Sequence, residues 1–180
     1  MRLFTTHIFK LILAGILMGV AQAPARAQGG SVPAAETLTG VIFNYRRTTP
    51  QIATSGVIRQ GGVAELKRLG FKTILDLRTA PEGTAREQAA VAKAGMDYYN
   101  IEISRAPITP AQVKAFGKLV ANKANYPILV HCASGNRVGA MWVLQRIGQG
   151  VPADAAFKEG RAIGLAPGRE RQVRQSLANN

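Results

Sequence analysis

The run Pro127-Ile128-Leu129-Val130-His131-Cys132-Ala133-Ser134-Gly135-Asn136-Arg137, followed by Val138-Gly139-Ala140-Met141-Trp142-Val143-Leu144-Gln145-Arg146, restricts the fold more than any other stretch of the chain. A short apolar run, a turn of small residues and an apolar pattern of helical period read as strand, tight loop and helix. The one cysteine of the sequence stands at that joint. Successive amide N–H groups in such a turn, with the first N–H groups of the next helix, form a concave ring of donors suited to a tetrahedral oxyanion. Their partial positive charge favours a thiolate at Cys132, and hence a nucleophile near neutral pH. Arg137 can close the ring with a planar fork matched to two oxyanion oxygens. The competing reading is a buried, inert cysteine, but inert cysteines lack such electropositive surroundings.

The rest of the chain alternates between strand and helix patterns. Residues 41–47 and 51–55 are short extended segments separated by Pro50. Residues 61–70 place Val63, Leu66 and Leu69 at helical spacing and close on Gly70. A strand over 72–77, a helix over 85–94 stopped by Gly95 and a strand over 98–103 follow. The next helix has Thr109 as its cap and Pro110 at its first position, and runs to about Ala124. Helices over 137–147 and 152–163 come next. A last one over 167–178 carries Arg169, Arg171 and Arg174, which read as a solvated face. This alternation predicts a single-domain α/β three-layer sandwich, with a mostly parallel central sheet and helices on both faces. Ligands of such sheets bind outside the carboxyl ends of the strands, so the loops that begin at Arg78, Ser104 and Cys132 should converge. Arg78 and Arg105 are candidates to recruit an anion there, with plain surface charge as the alternative.

At the amino end, Arg2 and Lys10 precede an almost wholly apolar stretch from Leu11 to Val20, and Ala25-Arg26-Ala27 is a small-x-small site. That order is a secretory signal with cleavage expected after Ala27, Ala23 being the second choice; the alternative is an uncleaved anchor, for which the apolar part is short. Export places the mature chain in the periplasm or outside the cell, with no transmembrane segment left. One cysteine cannot form an internal disulfide in that oxidising setting, so its sulfur more plausibly serves chemistry. The chain carries 23 Lys and Arg against 10 Asp and Glu, a formal charge of +13, and only Arg2, Lys10 and Arg26 of these fall within residues 1–27. Such an excess attracts anions, whether a phosphorylated small molecule, a phosphoprotein, an envelope polymer, membrane headgroups or nucleic acid, with a solvated basic surface as the alternative. Nucleic acid is not expected, because the basic residues do not interleave with aromatics as a stacking platform requires. Two histidines, one of them His7 in the signal, and one cysteine cannot build a structural zinc site, and no cofactor is expected.

The loop resembles the phosphate-binding loop of cysteine-dependent phosphatases, in which His-Cys is followed by small residues, a glycine and an arginine. Those enzymes have five residues between Cys and Arg, whereas Ala133, Ser134, Gly135 and Asn136 are four. The shorter form is similar to the bacterial phosphatase-like domain of beta-lactamase-hydrolase-like proteins, and the likeness extends to Phe71-Lys72-Thr73-Ile74-Leu75-Asp76-Leu77-Arg78. A loop of this length also resembles that of rhodanese-type sulfurtransferases. The resemblance implies a phosphatase-like fold in which residues 51–55 form an edge strand. On this reading the chain divides into a signal peptide (1–27), a flexible leader (28–43), a phosphatase-like domain (44–164) and a basic C-terminal helix (165–180).

The resemblance also implies a chemistry. Cys132 would attack phosphorus while the amides of Ala133, Ser134, Gly135 and Asn136, with Arg137, bind the equatorial oxygens. His131 would orient the cysteine. The phosphatases add an aspartate as general acid, yet no Asp or Glu lies between Ile103 and His131, which leaves Glu102 and Glu82 as weak substitutes. Val138 stands where they commonly have Ser or Thr. Phosphate monoesters with good leaving groups, such as phosphotyrosine or aryl phosphates, suit that site best. Two alternatives remain: a sulfurtransferase carrying a Cys132 persulfide, which needs no proton donor, and an oxyanion-binding module without turnover.

Overall fold

The computed structural model describes residues 31–34 and 38–179. The expected signal peptide lies outside the described residues. Among them, no helix is long and apolar enough to cross a membrane.

Five strands form one sheet: β1 (Arg46–Arg47), β2 (Ile52–Ser55), β3 (Thr73–Asp76), β4 (Asp97–Asn100) and β5 (Ile128–His131), in the order β1-β2-β5-β3-β4. All neighbours pair in parallel except β1, which runs antiparallel to β2. Residues 51–55 therefore do not supply an edge. The antiparallel turn through Pro50 folds Arg46–Arg47 back onto β2 and puts β2 inside the sheet. Among the described residues the α-helices are α1 (Gly62–Arg68), α2 (Thr84–Lys93), α3 (Pro110–Ala121), α4 (Asn136–Gly148), α5 (Ala153–Ile163) and α6 (Pro167–Ala178). Thr109 caps α3 as expected, and the structure adds that the cap is reciprocal with Gln112.

Alternation along the strands decides which side chain faces which layer. Ala53, Ile74 and Leu129 face α1 and α2 and pack with Leu66, Phe71 and Val91. Ile52, Leu75, Ile128 and Val130 face the other way, onto Phe116 of α3 and Val138, Met141 and Trp142 of α4. β5 is buried on both faces, which explains its unbroken apolar sequence. A third cluster, with Ala140, Val143, Phe157 and Val173, fixes α5 and α6 behind α4.

Two expected boundaries shift. Val32, Leu38 and Ile42 are fully buried, and the Val32 amide donates to the Pro50 carbonyl at 2.8 Å, so packing begins inside the segment expected to be a flexible leader. Three widely spaced apolar residues have no periodicity to betray them. The C-terminal helix is likewise part of the body: Val173 is buried and the Arg174 guanidinium stacks 3.8 Å from the Phe157 ring centroid.

The register places Ser55, His131 and Asp76 side by side at the carboxyl ends of β2, β5 and β3. The loop after β5 is thus central, flanked by the loops that leave β2 and β3.

Candidate active site

Residues 132–135 turn from β5 into α4. Gly135 sits at φ +95°, and a Cβ there would lie 2.7 Å from the Ile163 carbonyl oxygen and 2.8 Å from Asn44 Nδ2, so both backbone freedom and space demand glycine. The turn is braced from outside. Val57 donates its amide to the Ala133 carbonyl at 3.0 Å, and Asn44, itself at φ +49°, donates through Nδ2 to the carbonyls of Ser134 and Ile163 at 3.1 and 3.0 Å. Asn136 Oδ1 accepts the Ala166 amide at 2.8 Å and ties α4 to the start of α6.

Cys132 lies on the floor of this turn and is 1% exposed. Its Sγ accepts the Gly135 amide at 3.2 Å. The Asn136 amide donates to Ser134 Oγ at 3.4 Å, while the amides of Ala133, Ser134 and Arg137 make no hydrogen bond among the described residues. Unspent donors around a sulfur are what an oxyanion ring requires.

Arg137 reaches across the mouth of the turn. Nη1 donates to Glu82 Oε2 at 2.7 Å and to the Ile103 carbonyl at 3.1 Å, and Nη2 donates to Glu82 Oε1 at 2.6 Å. The Glu82 hydrogen bonds raise the guanidinium above its ordinary value against the opposing effect of burial, and the Cys132 sulfur adds to the rise. The same hydrogen bonds, with smaller help from Thr79, hold the Glu82 carboxyl down to about 2.

Beneath the loop lies a buried ionic group. Arg78 Nη2 is 2.8 Å from Asp76 Oδ2 and 2.8 Å from Glu87 Oε2. His131 Nε2 is 2.7 Å from Glu87 Oε1 and 3.6 Å from Asp76 Oδ1, close in distance but outside hydrogen-bond alignment, and Nδ1 has no hydrogen-bond partner among the described residues. Burial alone would push the Asp76 carboxyl up. Hydrogen bonds from the Arg78 side chain and amide, with charge on His131, hold it below the usual carboxylate range.

A family model, the phosphatase-like domain of the beta-lactamase hydrolase-like protein, matches residues 44–149. The chain belongs to this family. A beta-lactamase hydrolase-like protein of Xylella fastidiosa (strain 9a5c) is 31% identical over 137 residues, covering 70% of this chain and 32% of that protein. One from Agrobacterium fabrum is 37% identical over 84 residues, covering 44% of this chain and 19% of that protein. The chain thus spans a third or less of the length of these relatives. Among solved structures, the core catalytic domain of the PP-IP phosphatase SIW14 from S. cerevisiae, in complex with citrate, covers 74% of this chain and 85% of its own at 23% identity and a TM-score of 0.61. TpbA of P. aeruginosa in complex with pTyr covers 83% and 89% at 21% identity, also with a TM-score of 0.61. At those identities the likeness is one of fold. It confirms the α/β phosphatase architecture expected from the loop and the strand–helix alternation.

Within this phosphatase-like fold the expected site residues separate by position. Cys132, Ala133, Ser134, Gly135, Asn136 and Arg137 share one turn, as their contiguity requires. Arg78 lies under the loop, not in its mouth. Its side chain is 8% exposed and both neighbouring carboxylates hold it, so it cannot recruit substrate. Glu82 does reach the site but as a paired anion, which unfits it for delivering a proton. Glu102 accepts the Ala80 amide at 2.9 Å, and Arg105 is exposed with no side-chain hydrogen bond or ion pair among the described residues.

Two participants carried no usable sequence signal. Asn44 braces the loop from 90 residues away. Arg169, in the first turn of α6, donates to the carbonyls of Ser104 and Ala106 at 2.6 and 3.0 Å. Burial holds Arg169 below its ordinary value, the positive Arg137 adds to that and the Cys132 sulfur opposes it, so all three lie within electrostatic reach. Asp76, Glu87 and His131 also converge closely enough for a metal ion, but the Arg78 guanidinium already fills the cationic place between the two carboxylates.

Proposed function

We propose that this chain is an exported, cysteine-dependent hydrolase of phosphate monoesters. The observation that carries the reading is the Cys132 sulfur at the floor of a turn with unspent amides and the Arg137 guanidinium in electrostatic reach. The Cys132 thiolate attacks phosphorus, forming an S–P bond as the P–O bond to the leaving group breaks. The amides and Arg137 take up charge on the equatorial oxygens. Water then attacks phosphorus, the S–P bond breaks, and phosphate leaves with the thiolate restored. Glu82 is held as an anion, so no proton donor for the leaving group is poised at the turn; aryl phosphates, phosphotyrosine among them, leave well without one.

The experiment is turnover of an aryl phosphate by the purified protein between pH 5 and 8. Hydrolysis by wild type, with Cys132→Ser and Arg137→Ala inactive, supports the reading. An inactive wild type, or an active Cys132→Ser, overturns it. The missing proton donor favours one second reading, sulfur transfer: Cys132 attacks the sulfane sulfur of thiosulfate, releases sulfite and keeps a persulfide. An unchanged intact mass after thiosulfate removes that reading. Export is tested separately by the N-terminal mass of the chain recovered from the periplasm.

A further inference from the structure

Beside the loop, on the α1 and α2 side of the sheet, a cleft of about 800 Å³ runs between the two helices. We infer that this cleft is a second anion subsite, which takes an additional phosphate group of a multiply phosphorylated substrate whose scissile phosphate sits over Cys132. The inference rests on the phosphatase reading for the scissile phosphate and adds the class of substrate.

The topology supplies the first argument. β5 lies between β2 and β3, and the cleft is walled by the exit loops of both, residues Ile58–Gly61 on one side and Arg78, Glu82 and Gly83 on the other. Each wall touches the catalytic turn. Val57, next to Ile58, donates its amide to the Ala133 carbonyl, and Glu82 holds Arg137. Both walls of the cleft are thus tied to the turn by direct contacts, and the turn's own residues stand beside the cleft, outside its lining.

The second argument is charge. Five charged side chains line the cleft besides the buried Arg78, and its two acids are spent: Glu82 on Arg137, Glu87 on Arg78 and His131. Arg78 is spent in turn on Asp76 and Glu87. What is left is Arg59, Arg86 and Lys93, all exposed, none with a carboxylate partner among the described residues. Arg59 lies two residues beyond Val57, where its guanidinium donates to the Gly40 carbonyl at 3.4 Å and stands 5.7 Å from the Phe43 ring centroid, and Arg86 lies four residues beyond Glu82; neither is neutralised by an acid. Three cations with no internal counter-charge in one concave wall suit a polyanion, and guanidinium forks suit phosphate oxygens.

The test measures binding of inorganic orthophosphate and inorganic tripolyphosphate by calorimetry, with aryl phosphate turnover on the same samples. Wild type should bind tripolyphosphate at least about tenfold tighter than orthophosphate. In Arg59→Ala/Arg86→Ala that ratio should fall by about tenfold. Lys114→Ala/Lys118→Ala, an equal charge change on α3, should leave it as in wild type, which separates the cleft from the net charge of the chain. A ratio unchanged in Arg59→Ala/Arg86→Ala, a ratio lowered equally by Lys114→Ala/Lys118→Ala, or equal affinity of wild type for the two ligands overturns the inference. Failure of the phosphatase reading shows differently, as absent aryl phosphate turnover with the ratio and its loss intact.

Discussion

Glu82 grips the Arg137 guanidinium with both carboxylate oxygens, at 2.7 Å from Nη1 and 2.6 Å from Nη2. The pair joins the loop after β3 to the first turn of α4 and fixes which edge of the fork remains for the sulfur and its substrate. A carboxylate held at about 2, against its ordinary 4.5, stabilises the fold fully above the unfolded value and loses that contribution as pH falls from about 4.5 to about 2. Urea midpoints should therefore show wild type more stable than Glu82→Gln at pH 6, by on the order of 1 kcal/mol because the side chain is partly exposed and screened. The gap should narrow by pH 3. A gap independent of pH would mean that the charge does not matter.

The same variant bears on catalysis. Without the clasp Arg137 has only the Ile103 carbonyl to direct it, and the guanidinium gains freedom that substrate binding must remove. Glu82→Gln should lower kcat/KM for an aryl phosphate by about tenfold, the cost of a charge-assisted hydrogen bond. If Glu82 were instead the proton donor, the loss would grow as the leaving group became poorer. Measuring a series of aryl phosphates of rising leaving-group pKa distinguishes the two, and a steeper slope in the variant would reject the positioning role.

Arg78 carries a different burden. It neutralises two carboxylates beneath the loop, so Arg78→Met leaves Asp76 and Glu87 buried without a fixed cation. Breaking a buried pair from one side costs about 3–5 kcal/mol, more than replacing every member. Arg78→Met should unfold at much lower urea, and adding Asp76→Asn and Glu87→Gln should recover part of the loss. A single variant within about 0.5 kcal/mol of wild type, the usual range for surface positions, would show that Arg78 is a surface charge after all.

How far these relationships could be read from the sequence follows from their range along the chain. Contiguous features were legible: the strand, turn and helix around Cys132, the Thr109 cap with Pro110 at the first helical position, and the alternation that yields a parallel sheet. Arg78, two residues past Asp76, could be placed on the correct loop, yet its burial depended on Glu87, on a helix whose rotation the sequence does not fix. The inward turn of Val32 and Leu38 lacked any period. β1 was too short for its pairing partner, and hence the position of β2 in the sheet, to be deduced. Asn44 holds the Cys132 turn, and Arg169 the loop after β4, through contacts 90 and more than 60 residues distant, where only the folded chain brings donor and acceptor together.

Asn44 offers a sharp test because its amide faces two carbonyl oxygens. Asn44→Asp keeps the size and the tolerance of positive φ but turns a donor into an acceptor aimed at the oxygens of Ser134 and Ile163. The loss should be about 2 kcal/mol in unfolding free energy, larger than for Asn44→Gly, which removes the donor without adding repulsion. Equal losses would place the residue's value in its backbone alone.

Arg169 combines a mechanical and an electrostatic role, and two substitutions separate them. Its fork holds the Ser104 and Ala106 carbonyls and Gln172 Oε1 at once, which a lysine cannot reproduce, whereas its positive charge near Arg137 and Cys132 survives in a lysine. Arg169→Ala should weaken orthophosphate binding by roughly threefold, as expected for one partly screened charge. It should also speed amide exchange over 104–108. Arg169→Lys should regain the phosphate affinity while exchange stays fast. If lysine restored neither, α6 would matter to the site only through packing. If alanine altered neither, the helix would be the solvated face its composition suggests.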